Sequence, residues 1–174
     1  MIEAILRRRS IRKYDPLRKI EKEKLSGLVC AAMYAPSARN LRPWQFVVVT
    51  DRALLDKITE VHPYAAMMKE ATAAILVCGD KARDDNEIYL AKNGAAATQN
   101  ILLEAWNRGL GSVWLGVFGR EERMKALSEM FRLPEHLVPV ALIGLGYPAE
   151  EKPVPERFEP ELIHHNKFGK PWKT

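Results

Sequence analysis

Cysteine is scarce: Cys30 and Cys78 are the only two in 174 residues. Each sits alone inside an apolar run, which excludes a disulfide framework and predicts buried thiols in a reducing, cytoplasmic compartment. Metal-ligand spacing is missing too, since His62, His136, His164 and His165 form no set with the cysteines. No apolar run approaches the roughly 20 residues of a membrane span. The start lacks a signal-peptide layout, because Arg7, Arg8 and Arg9 follow the apolar stretch instead of preceding it. The dinucleotide fingerprint G-x-G-x-x-G is absent. Gly109-Leu110-Gly111 runs on to Trp114, and Gly144-Leu145-Gly146 leads into a proline. No Ser-His-Asp set and no obvious acid–base pair stands out, so any chemistry must come from elsewhere.

What remains is an ordinary globular composition, 47% hydrophobic and 28% charged, expected to fold as one domain over residues 1–174. The net charge of +5 permits nucleic-acid binding. No helix-turn-helix, zinc-finger or aromatic-basic pattern supports it, and an anionic small ligand explains the one basic cluster equally well.

Periodicity predicts a helix over residues 21–35, with Leu25, Leu28, Val29, Ala32 and Met33 as its apolar stripe and Pro36 as its stop. Strands are expected at 44–50, 73–79, 112–118 and 138–145. Helices are expected after Asp51 as cap, with Leu54, Leu55 and Ile58 as the buried face, then at 84–108, ended by Gly109, and at 121–131. Strands alternating with helices predict an α/β or α+β sandwich. Residues 149–174 are rich in proline and charge, yet Phe158, Ile163, Phe168 and Trp172 make them too apolar for plain disorder. An extended tail lying on a surface, that of another subunit included, is the expectation.

Three stretches carry the functional signal. Five cations and a serine crowd into residues 7–15. Arg8, Ser10 and Arg12 alternate, so an extended segment points them to one side as a socket for phosphate or another planar anion. A plain solvated basic run is the alternative reading. The second stretch is the loop at 36–43, where Ser37 and Asn40 stand between two prolines, or merely shape a turn. The third is Trp114-Leu115-Gly116, where glycine near a strand end allows close approach of something flat, or marks a bend.

In this order and spacing the chain resembles the FMN-dependent nitroreductase family. The parts are R-R-S-x-R-x-Y-D from Arg8, A-P-S-A-x-N-x-x-P-W from Ala35, Q-N-I-L-L-E-A followed by G-L-G-S, the W-L-G turn, and I-G-L-G-Y-P from Ile143. The resemblance spans essentially the whole chain. It implies an α+β fold: an α/β/α sandwich, with a mainly antiparallel sheet, helices on both faces and a C-terminal tail extended onto the partner of an intertwined homodimer. It implies FMN at the dimer interface and NAD(P)H as hydride donor. Arg8, Arg9 and Ser10 match the flavin segment, with Arg8 and Ser10 at the phosphate and Arg12 at the N1–C2=O edge. Pro36, Ser37 and Asn40 match the loop that the second subunit lays against the flavin. Leu115 and Gly116 match the turn whose backbone amides face N5 and O4. A basic tail residue, Arg157 ahead of Lys152, would join the phosphate. Arg12 and the Gly116 amide would be the catalytic groups.

The implied activity is ping-pong hydride transfer to an aromatic small-molecule acceptor: a nitroaromatic, a quinone or an activated alkene. The same fold also hosts dehalogenases and flavin-degrading enzymes, and a non-catalytic flavin-binding protein is a further alternative. Residues 81–86 are too short to form the substrate cover that relatives build there, and Lys92-Asn93 replaces an acidic position, so neither is assigned a role.

Overall fold

The computed structural model describes residues 1–172. Along the chain it places helix α1 at Glu3–Arg7, α2 at Lys22–Met33, strand β1 at Trp44–Val49, α3 at Arg52–Val61 and β2 at Ala73–Asp80. Then come α4 at Glu87–Asn107, β3 at Gly111–Gly116, α5 at Glu121–Met130 and β4 at Leu137–Gly146. The four strands form one antiparallel sheet in the order β1-β2-β4-β3.

The central strands explain the layering. Every residue of β2 is buried, and strands covered on both faces read as unbroken apolar runs rather than alternating ones. Ala73, Ile75 and Val77 join the cluster under α2 and α4. Ala74, Leu76 and Cys78 join the opposite cluster with Leu55 and Ile58 of α3 and Leu127 of α5. The period-two backbone thus splits one apolar run between two cores, giving helices on both faces as expected. Opposite Cys78, the register of β2 on β4 slips at Pro139. Proline cannot donate to a ladder, so a bulge forms at this point. Val140 is the extra residue, and it bends β4 beside the last pair of β3, Gly116 with Ala141.

Several expectations need correction. The long helix begins at Glu87 rather than Asp84, because Asn86 Oδ1 accepts from the N–H groups of Ile88 and Tyr89 and caps it. The third strand ends at Gly116, and the chain turns at Gly119 with φ +76°. Cys30 is exposed and only Cys78 is buried. The buried stripe of α2 is Leu25, Leu28 and Ala32. Two residues past Leu28, Cys30 is turned about 200° away. Met33 is also exposed, at the helix end. Among the described tail residues, Phe158, Leu162, Phe168 and Trp172 are exposed. The tail expected over 149–174 is described as far as Trp172, and residues 173–174 lie outside the described residues. No helix of the described residues is long and apolar enough to cross a membrane.

Candidate functional site

The basic segment leaves α1 extended and runs beside the outer edge of β3. Ser10 pairs in parallel with Ser112, and Ile11 N–H donates to Ser112 O at 3.0 Å. Ile11 and Tyr14 are buried, so their exposed neighbour Arg12 turns outward. Tyr14 pins the segment by donating to Ile11 O at 2.6 Å, and its ring packs against Gly146 so closely that a methyl group there would sit 2.7 Å away.

The start of the tail clasps the same segment. Glu150 Oε1 accepts from the N–H groups of Arg12 at 2.5 Å and Lys13 at 3.3 Å. Lys152 Nζ donates to Ser10 O at 2.6 Å, and Arg9 Nε donates to Pro153 O at 2.8 Å. Those backbone donors, the Arg12 N–H first, hold the Glu150 carboxyl below the usual carboxylate range. Arg9 also donates to the carbonyls of Arg8 and Leu6, so its guanidinium braces the backbone.

Arg8 is different. Its Nε is buried and has no hydrogen-bond partner, and among the described residues Arg8 makes no ion pair. Desolvation, then the nearby charges of Arg157 and Arg9, push its pKa down. The Arg157 charge thus lies near enough to repel that of Arg8, while Lys152 is engaged with Ser10 and Glu150. A cleft of about 350 Å³ opens beside Arg8, Arg9, Ser112 and Lys152, with Glu150 and Glu151 also on its wall and Glu150 engaged by the Arg12 and Lys13 amides. Clustered cations with an unpartnered buried donor fit an incoming anion.

At the other end of β3, Leu115 is buried and Gly116 is exposed. Ser112 O faces outward, toward Ile11. In an antiparallel ladder, the N–H and C=O of one residue point to the same side and alternate residue by residue. Leu115 thus directs its N–H to β4, whereas Gly116 directs both groups to the free edge. The Gly116 carbonyl accepts from His62 Nε2 at 3.0 Å and Arg123 Nη1 at 3.1 Å. A Cβ at Gly116 would meet nothing within 4 Å, and its φ is not in the left-handed region. Nothing in the fold requires glycine here. The open backbone face suits a flat ligand.

The loop at 36–43 is strained and well held. Arg39, Asn40 and Arg42 adopt φ of 55°, 54° and 48°, a conformation costly for arginine and common for asparagine. Ser37 Oγ accepts from Arg42 N–H at 2.9 Å, Asn93 Oδ1 from Ala38 N–H at 3.1 Å, and Asp84 Oδ1 from Arg39 at 3.1 Å. Pro36, Ser37 and Asn40 do not reach Arg8 within one chain. The loop enters β1 at Trp44, level with Val138 of β4, whereas Ser10 lies across β3 near Leu145. Four strand spacings and about seven residues of rise separate them by more than about 20 Å.

The sequence profile described as "Nitroreductase family" matches residues 5–63 and 59–147. The chain belongs to the nitroreductase family. It is 45% identical over 168 residues to a Methanothermobacter thermautotrophicus protein described as an NADH dehydrogenase/NAD(P)H nitroreductase, covering 97% of this chain and 87% of that one. The FMN-dependent nitroreductase of Clostridium difficile R20291 superposes with a TM-score of 0.88 at 32% identity, covering 97% and 100% of the two chains. The NADPH:FMN oxidoreductase of Vibrio harveyi, solved with NAD+, superposes at 0.84 with 25% identity, covering 97% and 78%.

Within this nitroreductase-family chain, Arg8 and Ser10 lie at one end of β3, with the Arg157 charge near Arg8, and Gly116 stands at the other. The sequence reading overlooked three residues that shape this edge. They are His62 and Arg123, which hold the Gly116 carbonyl, and Glu150, which holds Arg12. His62 and Gly116 are 54 residues apart, and nothing in the local sequence of either signals the contact.

Proposed function

We propose that this protein is an NAD(P)H-dependent FMN oxidoreductase that reduces nitroaromatic, quinone or activated-alkene acceptors by a ping-pong mechanism, as a homodimer. The observation that carries the proposal is the buried, unpartnered Arg8 Nε among the cations Arg9 and Arg157, lying along one strand from the open Gly116 edge. That is the polarity FMN needs: an anion at one end, a flat ring at the other. The names of the relatives supply the cofactor and the hydride donor.

When bound, FMN supplies the redox chemistry, accepting hydride at N5 and passing it to the acceptor. The chain binds, orients and excludes water. Arg8 and Arg157, with the Ser10 hydroxyl, would hold the phosphate by charge-assisted bonds, while Arg9 braces the backbone of the segment. Arg12, whose backbone Glu150 fixes, places a cation at the N1–C2=O edge, where charge accumulates on reduction. The Gly116 N–H would meet N5, with Leu115 anchoring that turn in the core. Pro36, Ser37 and Asn40 come from the second copy, since one chain cannot bring them to Arg8. The exposed apolar tail supports the dimer, and residues 1–174 form one FMN-binding domain with residues 149–174 as its extended tail.

Purified protein should be yellow and release FMN on denaturation. Initial rates with NADH and menadione should give parallel double-reciprocal lines. Full occupancy by FAD or intersecting lines would contradict this reading.

A further inference from the structure

His62 is 1% exposed and sits just past the C-terminus of α3, where it takes part in none of the contacts assigned above to phosphate or ring. Its two ring nitrogens have distinct partners. Nδ1 lies 3.3 Å from the backbone nitrogen of Tyr64, and Nε2 lies 3.0 Å from Gly116 O. A backbone N–H can only donate, so Nδ1 accepts. The proton of a neutral imidazole is then on Nε2 and is donated to Gly116 O. Arg123, from α5, donates to the same oxygen at 3.1 Å, and its guanidinium lies 5.5 Å from the Tyr64 ring centroid.

Both lone pairs of that carbonyl are therefore occupied, one from each of two helical elements behind the strand. Gly116 needs such an anchor. It has no side chain to pack, it is the last residue of an edge strand, and β4 bulges beside it. With the carbonyl fixed outward, the N–H of the same residue is fixed outward too.

We propose that His62 is a positioning residue of the redox site: as a neutral Nε2–H donor, assisted by Arg123, it orients the Gly116 backbone so that the Gly116 N–H meets flavin N5. The assignment rests on the proposed placement of the flavin against Gly116. Burial and the neighbouring Arg123 charge lower the His62 pKa, which keeps the ring in the neutral form that this geometry needs.

Three measurements separate the clasp from the flavin placement. In flavin-free protein, amide hydrogen exchange at the bonded amides flanking Gly116, Leu115 toward β4 and Phe118 to Val140 O at 3.0 Å, should quicken about tenfold or more in His62→Ala and stay close to wild type in His62→Gln, which retains a neutral N–H donor. In FMN-loaded protein, His62→Ala should shift the visible flavin bands and slow single-turnover reduction by NADH by about ten- to a hundredfold, the scale expected for misplacement of a reacting group. His62→Gln should recover most of both. Gly116→Val tests the placement alone: its side chain enters the open face and should abolish FMN binding. Wild-type exchange, bands and reduction rate in His62→Ala would overturn the role of His62, as would a His62→Gln variant as impaired as His62→Ala. Wild-type FMN affinity in Gly116→Val would instead overturn the placement of the flavin, and the role of His62 with it.

Discussion

Replacing Arg8 by alanine should separate fold stability from cofactor affinity. The Arg8 Nε is buried without an acceptor, and Arg9 and Arg157 crowd the same guanidinium. In flavin-free protein the side chain is therefore a burden, and Arg8→Ala should melt at the same temperature as wild type or higher. In the loaded protein the balance reverses. A charge-assisted bond to phosphate contributes roughly 1.5–3 kcal/mol, so the FMN dissociation constant should rise by about one to two orders of magnitude. The two effects can be read from paired melts. At FMN one hundred times the wild-type dissociation constant, binding adds about 2.7 kcal/mol to wild type, but only about 1.4 kcal/mol to a variant weakened tenfold and about 0.4 kcal/mol to one weakened a hundredfold. Fluorescence titration of FMN gives the constants independently. An unchanged constant would move the phosphate away from Arg8. A flavin-free variant clearly less stable than wild type would show that Arg8 serves the fold.

Gly116→Ala should leave stability within about 0.5 kcal/mol, as at other open surface sites, while weakening FMN binding. Gly146→Ala should destabilise by roughly 1–3 kcal/mol, because the new methyl meets the Tyr14 ring at 2.7 Å; the reverse order in chemical denaturation would refute both assignments. His62 has its pKa lowered in the fold, so the unfolded chain takes up a proton first as pH falls through 6.5, and folding stability should decline there. His62→Gln should flatten that part of the stability–pH curve, and identical curves would show that His62 does not titrate as described. Removing residues 150–174 takes Glu150, Lys152 and Pro153 from the flavin segment and should release FMN and dissociate the dimer together; a flavin-loaded truncated dimer would show the tail to be dispensable. Burial raises the Cys78 thiol to about 12, so it should resist alkylation until unfolding, which peptide mapping after iodoacetamide treatment checks.

The layers were legible because burial on both faces leaves β4, and β2 as far as Gly79, without polar residues to disguise them, and because Asp51, Pro36 and Gly109 act through local backbone chemistry. Asp51 accepts from Leu54 N–H at 3.0 Å, and Gly109 takes φ +71° as a helix terminator should. The direction in which Cys30 points was not legible. Apolar residues nearly encircle α2, so composition alone does not say which arc meets the sheet. Asn86 capped the long helix in place of Asp84, since Asp84 is drawn to Arg39 by a tertiary contact. In the candidate site, Arg8 and Ser10 stand out in the sequence because charge chemistry restricts what can hold an anion, whereas Arg157 is singled out only by the family resemblance. His62, Arg123 and Glu150 do not stand out, because each acts on a backbone atom, and backbone atoms carry no residue-specific signal. The left-handed turn at Asn40 follows from its residue type, whereas those at Arg39 and Arg42 are imposed by the contacts of the loop.

The wide separation of Arg8 from Asn40 in one chain has a genetic consequence. In the proposed two-copy site each cofactor would take Arg8 from one chain and Asn40 from the other. Arg8→Ala and Asn40→Ala homodimers are then each defective at both sites. A mixed dimer of the two variants carries one doubly defective site and one wholly wild-type site. Two preparations that each bind flavin weakly, unfolded together and refolded as a mixture, should therefore regain wild-type affinity at up to one site per mixed dimer.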